Sequence, residues 1–231
     1  MATTTTTPPA PGPTRPGSAV RILGDTHALG RRLPQLAVGL VLYGVSMALM
    51  LRSGLGLDPW DVFHQGLQRV LGLTVGAWVT ICGVLVLLLW IPLRQRPGLG
   101  TVANVLMIGA AMDLTLRLVG GPAGLPARIA LMAAAVVLNG LASGLYIGAR
   151  FGPGPRDGLM TGLHRRTGRS LRLVRTGIEV AVLAVGVLLG GTAGVGTVMY
   201  ALAIGPLVQL FLPWCTASSA QDTSPQTPRM G

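Results

Sequence analysis

The chain has 231 residues, half of them hydrophobic and only 11% charged, with 34 glycines and 17 prolines. A water-exposed domain carries about a quarter charged residues, so this composition excludes a soluble globular fold. All 18 basic residues are arginine against seven acids, a net charge of +11; with no soluble face to gather them, they exclude a nucleic-acid interface and are read as a record of membrane topology.

In chain order, residues 1–32 open on a Thr/Pro-rich stretch without an apolar core, which predicts a disordered cytoplasmic tail. The first apolar run starts only at Leu33, too late for a cleaved signal peptide, so the first span stays attached. Hydropathy punctuated by arginine predicts six transmembrane helices at about 33–51, 74–93, 99–118, 129–149, 171–190 and 195–213. The break between the last two rests on Gly190-Gly191-Thr192-Ala193-Gly194, a natural turn. Residues 214–231 read as a second disordered cytoplasmic tail. With the amino terminus inside, 14 arginines fall on the cytoplasmic side and four, Arg52, Arg69, Arg117 and Arg128, outside. Both tails are thus expected in the cytoplasm.

A shift of 96 residues aligns 59–114 with 155–210 without a gap and with 19 identities in 56 positions. Pro59 and Asp61 match Pro155 and Asp157; Gly98, Gly100, Thr101 and Val102 match Gly194, Gly196, Thr197 and Val198. Identities of this kind exceed shared apolarity and indicate internal duplication. The expected fold is therefore an all-α polytopic membrane bundle of about six helices in two three-span repeats, 33–118 and 119–213. An odd span count inserts the second copy upside down, and inverted repeats of this type recur in transporters, with the substrate site between the halves.

Between the first two spans, Gly54-Leu55-Gly56-Leu57-Asp58-Pro59-Trp60-Asp61 carries the signals of a helix start at Pro59: a capping Asp58, proline in the first turn and Asp61 at the positive helix end. This short helix either lies parallel to the surface or dips into the bundle. Arg52 with Asp61 on one side, and Arg150 with Asp157 on the other, form candidate mirrored gates. Leu55 to Gly66 and Gly98 to Val102 resemble the YitT/YczE-type bacterial integral membrane proteins, a likeness extending over roughly 33–213. The resemblance implies a multi-pass protein of the bacterial inner membrane and supplies no catalytic or binding residues.

At membrane depth, Asp113 is spaced to pair with Arg117 and Glu179 with Arg175, and Gln209 occupies the position equivalent to Asp113. Asp113, Glu179 and Gln209 are the candidate substrate or ion site. Gly140, Gly144 and Gly148 form a smooth strip suited to close helix packing and to a homodimer. Cys82 and Cys215 support neither a disulfide framework nor a zinc site. No phosphate loop, zinc-protease or nucleophile-elbow motif is present, so neither an enzyme nor a cofactor is expected. The expected function is a small secondary transporter for a small molecule or ion, the alternative an accessory protein that docks a partner or anionic lipid through residues 150–175.

Overall fold

The computed structural model describes residues 18–216; of the tails expected over 1–32 and 214–231, residues 1–17 and 217–231 lie outside them. Among the described residues the chain forms eight helices and no strand: α1 (Ser18–Ser53), α2 (Pro59–Leu71), α3 (Val75–Trp90), α4 (Leu99–Leu118), α5 (Leu125–Gly148), α6 (Pro155–Thr167), α7 (Leu171–Leu188) and α8 (Val195–Cys215). Helix α1 begins at Ser18, inside the stretch expected to be a tail. The arginines taken as its border, Arg31 and Arg32, are good helix formers with long apolar stems, so they do not end it.

Local chemistry accounts for the short helices. Asp58 caps α2 by accepting from the backbone N–H of Trp60 (2.9 Å) and Asp61 (3.1 Å), with Pro59 in the first turn and Gly72 at φ +75° past the end. Thr74 caps α3 through the Ala77 N–H, and Ser170 caps α7 through Leu173. Helix α6 keeps Pro155 and Asp157 in its first turn, has Gly154 in place of an Asp cap, and ends at Gly168 with φ +68°.

Four helices are long and apolar enough to cross a membrane: Leu29–Ser53 of α1, α4, α5 and α8. Helices α2 and α3 qualify only as a pair, bent by 112° at their junction. Neither of the spans expected at 74–93 and 171–190 qualifies on its own. Helix α3 has 16 residues, about 24 Å at 1.5 Å per residue and short of the roughly 30 Å hydrocarbon core. Helix α7 carries Arg172, Arg175 and Glu179 in its first half.

Helix α1 packs against α4 and α5, and α5 in turn against α8; α2 lies on α3 and α7, while α6 lies on α3 and α7 from its own side. The principal core gathers Leu40, Met47, Met50, Ile108, Met112 and Met132 from α1, α4 and α5. A second cluster joins Trp60, Val86, Trp90 and Leu159. Trp60, Asp61, Val62 and His64 of α2 are buried, so this helix sits within the bundle and not across its surface. The strip of Gly140, Gly144 and Gly148 is covered by α8 of the same chain: a Cβ there would come 2.6 Å from Leu207, 3.1 Å from Phe211 and 2.6 Å from the Cys215 carbonyl. It is therefore not a free face for a homodimer.

The tightest crossing in the first half is glycine on glycine. A Cβ on Gly76 of α3 would overlap the Gly109 carbonyl of α4, and one on Gly109 would overlap the Gly76 carbonyl. Gly109→Ala is expected to destabilise the protein by about 1–3 kcal/mol. Gly205→Ala, where a Cβ meets nothing within 4 Å, serves as the control and should leave the thermal unfolding midpoint in detergent unchanged or raised.

Candidate functional site

Two loops, each rich in glycine, carry the helices that form the site. Gly56 (φ +129°) precedes α2 and Gly152 (φ +115°) precedes α6, conformations open to glycine at no steric cost. Each loop is fastened to the start of a helix from the other sequence copy. The Gly196 N–H donates to the Leu55 carbonyl and the Gly100 N–H to the Phe151 carbonyl, both at 2.9 Å. The hydroxyl of Thr197 accepts from Leu57 N–H (3.2 Å) and Gly194 N–H (3.2 Å). Thr101 accepts from Gly98 N–H (3.1 Å) and donates to the Pro153 carbonyl (2.8 Å). A side chain on Gly98 would overlap the Phe151 carbonyl, and one on Gly194 the Leu55 carbonyl, so glycine is required at both.

These attachments point the first turns of α2 and α6 at each other. Asp58 and Asp61 are 3% and 0% exposed. Arg156 of α6 reaches across, with Nη1 3.6 Å from Asp58 Oδ1 and Nη2 3.9 Å from Asp61 Oδ1. Its guanidinium carbon lies 4.9 Å from the centroid of the Trp60 ring, within cation–π range. Arg156 and Trp60 are equivalent positions at the 96-residue shift. His64 Nδ1 lies 3.0 Å from Asp61 Oδ1. Asp157 accepts from the Tyr146 hydroxyl (3.0 Å), which itself accepts from Gly154 N–H (3.2 Å).

The groups surround a cavity of about 130 Å³. Its charged lining is Asp58, Asp157 and Glu179 against Arg156 and Arg175; Tyr43, Tyr146, Tyr200 and Trp60 supply aromatic walls. With Asp61 behind Asp58, four carboxylates face two guanidinium groups. Arg175 donates to Glu179 at 2.9 Å, and both are partly exposed. Asp58 Oδ2, Asp61 Oδ2 and the Trp60 indole N–H are buried without a hydrogen-bond partner, an expensive condition in a low-dielectric site. Among the described residues no three His, Cys, Asp or Glu side chains converge as a metal site.

Of the residues singled out from sequence, Glu179, Asp58 and Asp157 line this cavity and Asp61 stands behind it. Asp113 does not: it accepts from the Thr74 hydroxyl and from Gly76 N–H (2.9 Å), bracing the start of α3, and lines a separate cleft with Arg52 and Arg117. Gln209 is exposed on α8. The expected trio of Asp113, Glu179 and Gln209 therefore does not gather around one space. Arg52 donates to the Leu116 carbonyl and Arg150 is an exposed residue at φ +58°; neither pairs with Asp61 or Asp157, whose partners are Arg156 and Tyr146. Sequence reasoning passed over Trp60, Arg156 and the three tyrosines. The available signal was the non-identical position inside the otherwise matched Pro-x-Asp segments.

The profile of a family of unknown function, DUF6198, matches residues 30–213. An uncharacterized protein of Haemophilus influenzae is 37% identical over 177 residues, 77% of this chain and 81% of its own. The uncharacterized membrane protein YczE of Bacillus subtilis is 34% identical over 172 residues, covering 74% and 80%, and the uncharacterized protein YyaS of the same bacterium 27% over 180 residues, covering 76% and 90%. No solved structure matches. The resemblance carried by the two glycine segments holds, and the chain is a membrane protein of the YczE type.

Thr101 and Thr197 each make two hydrogen bonds at equivalent positions, Thr101 donating to the Pro153 carbonyl where Thr197 accepts from the Leu57 N–H; Thr101→Val and Thr197→Val are expected to cost similar amounts, about 1–2 kcal/mol each. Thermal unfolding of the two variants in the same detergent checks both the size and the parity.

Proposed function

The chain belongs to the DUF6198 family of unknown function, and on that premise we propose that it is a small secondary permease of the bacterial inner membrane, working by alternating access around the charged cavity. The observation that carries this reading is the cavity lining. Pro59 and Pro155, Trp60 and Arg156, His64 and Met160, and Asn104 and Tyr200 all line it, and each pair is equivalent at the 96-residue shift. A space bounded by matched positions of two copies is what an axis relating them would produce, and it supports that relation. The reciprocal attachments of Leu55 to Gly196 and Phe151 to Gly100 support the same relation. If each copy crosses three times, with α2 and α3 as one broken crossing, the axis lies in the membrane plane. Inverted repeats with broken helices and a midplane site are the working parts of secondary transporters.

In this reading both termini are cytoplasmic, as the arginine distribution requires, and the site binds and releases cargo without chemical conversion. Rocking of one half against the other moves α6 relative to α2, because their first turns face each other only across the cavity. Glu179 and Asp58 are the groups placed to couple that motion to a cation or proton; Asp113 acts through the position of α3. A second reading, docking of a cytoplasmic partner or anionic lipid, is favoured by the exposed Arg165, Arg169 and Arg172.

Cysteine accessibility separates the two without knowledge of the cargo. In a Cys82→Ser, Cys215→Ser background, a cysteine replacing the buried cavity residue Met160 is expected to react with a membrane-impermeant thiol reagent applied from either face. Reaction from one face only, or from neither, would remove the permease reading and leave docking. Labels at positions 94 and 165 are expected on the same, cytoplasmic side; labels on opposite sides contradict the inverted arrangement.

A further inference from the structure

The permease reading leaves the cargo open, and the inference here rests on that reading while naming a class. We propose that the cavity takes a small organic cation bearing N–H donors, of the guanidinium or primary-amine class, and that Arg156 is a tethered stand-in for it.

The argument begins with what Arg156 does and does not do. Its guanidinium lies over the Trp60 ring at 4.9 Å and faces Asp58 and Asp61 at 3.6 and 3.9 Å. Charge-assisted N–H to carboxylate hydrogen bonds are closer, about 2.7–2.9 Å. Arg156 therefore neutralises the pair through space without being locked to it. Meanwhile Oδ2 of each carboxylate is buried and accepts nothing. One acceptor on the cavity wall, a second behind it and an aromatic face thus surround the place of a cation, and a side chain of the second copy holds that place loosely.

The side chains around the space favour a cation as cargo. Asp58, Asp61, Asp157 and Glu179 outnumber Arg156 and Arg175 around the space, so withdrawal of Arg156 leaves it more acidic still. An anion would find the unpartnered Trp60 indole N–H and the Arg156 and Arg175 guanidinium groups, but against twice as many carboxylates. Three tyrosines and a tryptophan line the remaining wall, the surroundings in which a weakly hydrated organic cation is held best. Arg156 is carried in the first turn of α6, next to the Gly152 to Gly154 loop, so displacement of α6 from α2 draws it out of the site. An arriving cation replaces it on Asp58 and Trp60; when that cation leaves, Arg156 returns. Such competition lowers the apparent affinity for cargo and ties cargo binding to the relative position of the two helices.

Methylguanidinium chloride is the probe, compared with sodium chloride at equal ionic strength, in thermal unfolding of the purified full-length protein. Arg156→Ala is expected to unfold at lower temperature than the wild type and to be restabilised by methylguanidinium, with half-maximal effect at about tenfold lower concentration than the wild type requires. Asp58→Asn in the Arg156→Ala background should abolish the response. No response beyond that to sodium chloride, or stabilisation by acetate or phosphate in its place, overturns the proposal. Should Arg156→Ala fail to fold, equilibrium binding of labelled methylguanidine to the wild type and to Trp60→Leu decides: binding weakened by Trp60→Leu supports the site, and no binding to the wild type overturns it. The result is separable from the permease test. Methylguanidinium binding with position 160 labelled from one face keeps the cation site and loses transport. Labelling from both faces without cation binding does the reverse.

Discussion

Asp58 and Asp61 place two carboxylates at almost no exposure inside a helical bundle, where each charge costs roughly 3 kcal/mol or more to insert. Much of the surrounding architecture offsets that cost. Asp58 Oδ1 is used twice, by the backbone donors of α2, so the helix's own positive end is the first compensation. Arg156 is the second, and it arrives from the other sequence copy. The carboxylates thus cannot be accommodated by the half of the chain that contains them, and the two halves are bound to each other by electrostatics as well as by packing.

Glycine makes that arrangement geometrically attainable. The α3 and α4 backbones touch at Gly76 and Gly109, and the loops before α2 and α6 press against Gly194 and Gly98. Contacts this close permit backbone hydrogen bonds between copies, such as Gly196 to Leu55. They also bring the first turns of α2 and α6 to face each other across the cavity. The cavity exists because two helix starts meet there and neither fills the space left by the other.

Several elements were legible in the sequence because their causes are local. The start of α2 at Pro59, its Asp58 cap and the turn between α7 and α8 each follow from residues within a few positions of one another. The Arg175 to Glu179 pair follows from helical spacing alone. What could not be read locally was destination. Asp113 sits at membrane depth like a site residue, yet its oxygens serve the start of α3, a partner 37 residues away. The glycine strip on α5 announces a close neighbour without naming α8. Arg156 looks like one more cytoplasmic arginine until the fold brings it over Trp60. The duplication was visible, but its meaning lay in the positions where the copies differ.

The crossed fastening of the loops bears on how the protein is made. When the ribosome has delivered α1 to α4, the Leu55 carbonyl has no Gly196 to accept from, and Asp58 and Asp61 lack their guanidinium. The nascent first half therefore enters the lipid as an unfinished object, with polar groups exposed that only later translation can cover. The pairing of the two halves is completed only once α6 and α8 have been made.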